Sequence, residues 1–184
     1  MNDTQIPAPR GGIPWRILGW GGVAVLLTVP LVARFDWTIF DFLFAGAMFG
    51  VAGLALELAV RASASWRYRG GVAVAVAAAF LLVWVNGAVG FLGNEDNPAN
   101  LVFFGVIAVA LGGAALARFG AAGMAWAMLA GAFVQLAIGA IAIPLGWASP
   151  GVQGLYEVVL GTTLFAGLWL LSAGLFRWAA SRQA

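Results

Sequence analysis

The chain has no cysteine and no histidine, and all nine of its basic residues are arginine. These absences remove whole classes of chemistry. Disulfides, zinc sites of His/Cys type, thiolate iron–sulfur clusters and His- or Cys-ligated haem are excluded. With no lysine there is no Schiff base, and with no histidine there is no Ser-His-Asp triad. Carboxylates, amides, hydroxyls, guanidinium groups and aromatic faces remain. The one close aspartate pair, Asp36 and Asp41, lies at a helix entrance and not on facing helices. The expectation is a protein that is not an enzyme, with no cofactor and no metal.

Charge is equally scarce. Only 9% of the 184 residues are charged, against about a quarter in a soluble domain. So few charges leave a water-facing surface uncovered, and lipid becomes the natural solvent. The isoelectric point near 9.9 does not point to nucleic acid. The net charge is only +2, and the arginines are scattered at segment ends instead of gathered in a stripe.

Apolar sequence fills the remainder, at 63% hydrophobic residues and a mean hydropathy of +0.99. A bilayer core about 30 Å thick takes roughly 20 apolar residues per helix. Six stretches meet that need, at about 17–35, 37–60, 70–92, 100–117, 121–145 and 154–176. The fold class expected is all-α: a polytopic bundle of six transmembrane helices over residues 16–178. Residues 1–15, with Pro7, Pro9 and Pro14, read as an N-terminal tail, and 179–184 as a C-terminal tail. The basic start and apolar run to Ala33 look like a signal peptide, but Pro30 and Arg34 make a poor cleavage site. The run reads as a retained first helix.

Alternating spans put Arg10, Arg16, Arg61, Arg67, Arg69, Arg118, Arg177 and Arg182 at one membrane face and only Arg34 at the other. By the positive-inside rule that face is cytoplasmic, with both termini there. Arg16, Arg61, Arg67, Arg69, Arg118 and Arg177 are read as topology signals and headgroup anchors. The segment Arg61–Arg69 is expected to be a loop. Tryptophans cluster near the expected interfaces, whereas Trp84, Trp126 and Trp169 fall within spans and read as packing residues. Gly46, Gly50 and Gly53 on one helical face, and Gly87, Gly90 and Gly93, allow close helix approach and self-association. The partners expected are membrane lipid and a second copy or a membrane-complex subunit.

Five of seven acids, Asp36, Asp41, Glu95, Asp96 and Glu157, fall on the face that the arginines avoid. Such a mouth concentrates cations. Acids at helix N-termini are also favoured by the helix dipole alone. Glu57 lies deeper, but Arg61 stands four residues on, in the stabilising order. Asn86 and Gln135 are the polar residues deepest in their spans. Buried amides need partners, and hydrogen bonds between helices usually supply them. In the run Asn94–Asn100, Glu95 and Asp96 form an acidic periplasmic loop. Asn97 serves there as the N-cap and Pro98 as the first residue of the fourth helix.

The segments Trp84-Val85-Asn86-Gly87-Ala88-Val89-Gly90 and Glu95-Asp96-Asn97-Pro98-Ala99-Asn100-Leu101 resemble a group of small uncharacterised bacterial inner-membrane proteins. The specific part covers roughly residues 84–101. The resemblance implies a multi-pass protein of the bacterial inner membrane, and no mechanism. From the residues, the leading function is a small channel or transporter for a cation or small polar solute. The solute would enter from the acidic periplasmic face, along Asp41, Glu157, Asn86, Gln135 and Glu57. The alternative is a non-catalytic accessory, scaffolding or assembly subunit of a larger membrane complex.

Overall fold

The structure is a computed structural model in which residues 15–182 are described. Six α-helices account for most of them: α1 (Trp15–Val32), α2 (Ile39–Ala62), α3 (Trp66–Ala88), α4 (Phe103–Leu116), α5 (Ala121–Ala142) and α6 (Val152–Ala180). A 3-10 turn, Pro98–Val102, leads into α4. The described residues contain no strand. The segment up to residue 14, most of the expected N-terminal tail with Arg10, lies outside the described residues.

Five segments are long and apolar enough to cross a membrane: α2, α3, the 3-10 turn with α4, α5 and α6. The first helix does not match them. Its apolar stretch, Arg16–Val32, rises only about 25 Å at 1.5 Å per residue, short of a hydrocarbon core about 30 Å thick.

The chain divides into two compact units after Gly53. The first unit holds α1 and the leading part of α2. Trp20 lies against Gly53, where an added Cβ would stand 2.7 Å from the indole. Thr38 precedes α2, and its N–H and hydroxyl both donate to an Asp41 carboxylate oxygen (2.7 and 2.8 Å). The Asp41 N–H donates back to the Thr38 hydroxyl at 3.4 Å, a capping box with aspartate as its acid.

In the second unit, from Leu54 on, α6 packs against both α3 and α5, and α5 also packs against α4. The contacts run antiparallel. The Ser172 hydroxyl donates to the Gly71 carbonyl oxygen at 2.8 Å. The Tyr68 ring meets Phe176 edge-on, with centroids 5.3 Å apart. Small residues allow this closeness: an added Cβ at Gly71 would stand 3.1 Å from the Phe176 ring. Trp169, Phe103, Phe176, Leu82 and Leu92 are fully buried.

Three sequence expectations change. The stretch Trp66–Arg69 is helix and not loop, because Ser65 caps α3 and its hydroxyl accepts from the Tyr68 N–H. Arginine stems can lie along an apolar helix while their heads reach outward, so a basic start does not prevent a helix. The C-terminal helix runs on to Ala180, past the expected end at 176. Trp126 is not a packing residue: it is 65% exposed, whereas Trp169 is 1% exposed.

The connection from α3 to α4 is held by two asparagines from the polar run. Asn100 accepts from the Phe91 and Leu92 N–H groups (2.9 and 2.7 Å) and donates to the Asn94 carbonyl oxygen (2.7 Å). Asn97 caps the 3-10 turn through the Ala99 N–H, with Pro98 first in the turn. Its amide donates to the carbonyl oxygens of Leu92 and Trp147, each at 2.9 Å. Gly90, at φ +72°, allows the turn; an added Cβ would collide with the Asn94 backbone.

Candidate functional site

The interior of the second unit contains polar groups that its own side chains do not satisfy. Gln135 is wholly buried on α5, and neither its amide nitrogen nor its oxygen has a partner. The Thr162 hydroxyl and the Trp169 indole N–H, both on α6, are also buried and unpartnered. On α3, Asn86 donates to the Leu82 carbonyl oxygen at 2.6 Å, leaving its Oδ1 alone. Each such group costs about 1–3 kcal/mol if left unmade.

Three of these residues stand together. One turn before Gln135 is Gly131, where an added Cβ would stand 3.7 Å from the Trp169 ring. One turn after it is Gly139, where an added Cβ would stand 2.6 Å from the Thr162 methyl carbon. Residues four apart share a helix face. Gln135 therefore faces α6 between Thr162 and Trp169, which are seven residues, or about 10 Å, apart along the axis. The Ser172–Gly71 bond, carried up the two antiparallel helices, puts Asn86 level with Glu157, about 7.5 Å beyond Thr162 along the axis. Beside Gly139 a groove of about 170 Å³ opens between α5 and α6, walled by Ile143, Val158, Thr162 and Thr163. Its lining is mainly apolar, with Thr162 the unpartnered polar group beside it.

The acids do not join this set within the unit. Glu57 pairs with Arg61 at 3.4 Å near the end of α2. Glu157 accepts from the Gln153 amide at 3.0 Å on an exposed face of α6. Glu95 and Asp96 are exposed in the α3–α4 connection. Asp41 belongs to the first unit, where it caps α2. Among the described residues no group of three or more acids could hold a metal ion.

The arginines of the second unit gather at its other end. Arg67 and Arg69 lie in the first turn of α3, Arg118 in the α4–α5 turn and Arg177 in the last turns of α6. Arg69 donates to the carbonyl oxygens of Ser63 (2.7 Å) and Val60 (3.0 Å). In the first unit, Arg16 is exposed at the start of α1.

Two members of the buried set were not among the candidates read from sequence. Thr162 stands in a Gly-Thr-Thr run within an apolar helix, which was its only signal. Trp169 resembles any packing tryptophan until its ring N–H is found without an acceptor.

The fold defines the class: an apolar helical bundle with the make-up of a multi-pass integral membrane protein. No family model, curated protein or solved structure matches the chain.

Proposed function

We propose that this protein is a small channel or transporter for a small polar solute, and that the solute's station inside the membrane is Gln135 with Thr162 and Trp169, with Asn86 further along the path toward the acid-bearing end. The observation that carries the reading is Gln135: fully buried, with both ends of its amide unpartnered. In hydrocarbon such a group gains nothing unless something bonds to it.

The set favours a neutral solute over a cation. It offers amide, hydroxyl and indole groups and no carboxylate. A cation is usually guided by carbonyl or carboxylate rings, and Glu57 and Glu157 are engaged elsewhere. The solute would enter from the acid-bearing face, periplasmic if the arginines face the cytoplasm of a bacterium. No catalytic step is assigned.

The alternative, an accessory or assembly subunit, is favoured by exposed helix faces such as that of α4, where added Cβ atoms at Gly105 and Gly112 would meet nothing within 4 Å. It predicts that a partner co-purifies in mild detergent. The transport reading is tested by solute flux into liposomes. Gln135→Leu and Asn86→Leu should lower it, and Glu57→Gln should not. Equal flux in all variants would count against the proposed station.

A further inference from the structure

Arg67 lies over the Trp178 ring and beside that of Trp66. Its guanidinium carbon lies 4.0 Å from the centroid of the Trp178 ring and 5.2 Å from that of Trp66. The two indoles meet edge-on with centroids 5.5 Å apart. Stacking of this kind fixes the plane of the guanidinium and reduces its contact with water. Its Nε is buried without a hydrogen-bond partner.

The neighbouring arginines are employed differently. Arg61 pairs with Glu57, and Arg69 is bonded to two backbone carbonyl oxygens. Among the described residues no acid pairs with Arg67. Arg67 is thus a positioned, partly desolvated cation with no anion of its own. The local field adds to it. The start of α3 supplies the positive end of a helix dipole. Arg177 adjoins Trp178 in sequence. Arg118 adjoins Phe119, whose carbonyl oxygen accepts from the Tyr68 hydroxyl at 2.9 Å.

A planar guanidinium with a fixed orientation matches the paired oxygens of a phosphate. Indole rings at the end of a membrane helix settle at headgroup depth. Basic residues at that depth attract anionic lipid. We propose that Arg67, stacked on Trp178 beside Trp66, binds the phosphate of an anionic phospholipid headgroup. This site is independent of the Gln135 station.

The test uses the full chain in detergent, titrated with phosphatidylglycerol, with phosphatidylcholine and with inorganic phosphate. Lipid retention by native mass spectrometry and the thermal midpoint are read together. Saturable binding of phosphatidylglycerol is expected, raising the midpoint. Arg67→Gln should weaken it by tenfold or more, Arg67→Lys by less, and Arg182→Gln little. The midpoints of the lipid-free variants show that each is folded, and Arg67→Lys serves if Arg67→Gln is not. Equal binding by the wild type and both Arg67 variants would overturn the proposal. So would Arg67-dependent binding of inorganic phosphate with no response to phosphatidylglycerol, or equal retention of phosphatidylcholine.

Discussion

The Ser172 hydroxyl donates to the Gly71 carbonyl oxygen across 101 positions of sequence, at 2.8 Å and fully buried. One bond between two antiparallel helices fixes their register, and with it the levels of Asn86 and Thr162. Ser172→Ala should destabilise the bundle by about 0.6–1.7 kcal/mol, the range for hydrogen bonds between membrane helices. Unfolding in mixed detergent measures it. An unchanged midpoint would mean that packing alone sets the register.

Asn100 carries a larger burden. Its side chain satisfies the N–H groups of Phe91 and Leu92 and reaches the Asn94 carbonyl oxygen. Asn100→Ala leaves two buried N–H groups unpaired, at about 1–3 kcal/mol each. A loss of several kcal/mol in unfolding free energy is expected, with faster hydrogen exchange at residues 91 and 92. The acidic neighbours Glu95 and Asp96 are exposed, and their replacement by glutamine and asparagine should change stability by less than about 0.5 kcal/mol.

Gly139 is the close point between α5 and α6. A side chain there would meet Thr162 directly. Gly139→Val should cost about 1–3 kcal/mol by overpacking and fill part of the adjoining groove. Gly112→Ala, where an added Cβ meets nothing within 4 Å, is the matched control. It should be neutral or slightly stabilising, since alanine is the better helix former.

Thr38 and Asp41 form the cap of α2. Thr38→Ala should lower stability by about 0.5–2 kcal/mol, readable in the helical circular dichroism melt. If Asp41 serves only as a cap, Asp41→Asn leaves solute flux unchanged. A fall in flux would support the acidic-mouth reading.

The helical class was legible because long apolar runs separated by arginines, prolines and acids leave few alternatives. The helix ends were less so. Trp66–Arg69 reads as a loop by charge, yet Ser65 caps it into α3. Within the spans, hydropathy does not separate a buried tryptophan from an exposed one: Trp169 and Trp126 look alike until packing distinguishes them. Asn86 and Gln135 stood out as deep amides. Their neighbours did not, because Thr162 and the Trp169 ring N–H become conspicuous only once Gly131 and Gly139 bring α5 against α6. Glu57 pairs with Arg61, as the i+4 spacing suggested, and Glu157 accepts from Gln153.

The central claim is that Gln135 receives a small neutral solute. The most direct measurement is stopped-flow light scattering of proteoliposomes challenged with water, urea and glycerol gradients, comparing the wild type with Gln135→Leu. The account predicts a wild-type rate above that of empty liposomes for at least one of the three. Gln135→Leu, folded and inserted to the same extent, should return to the empty-liposome rate. Full flux in Gln135→Leu, or no flux above empty liposomes in the wild type, would contradict it.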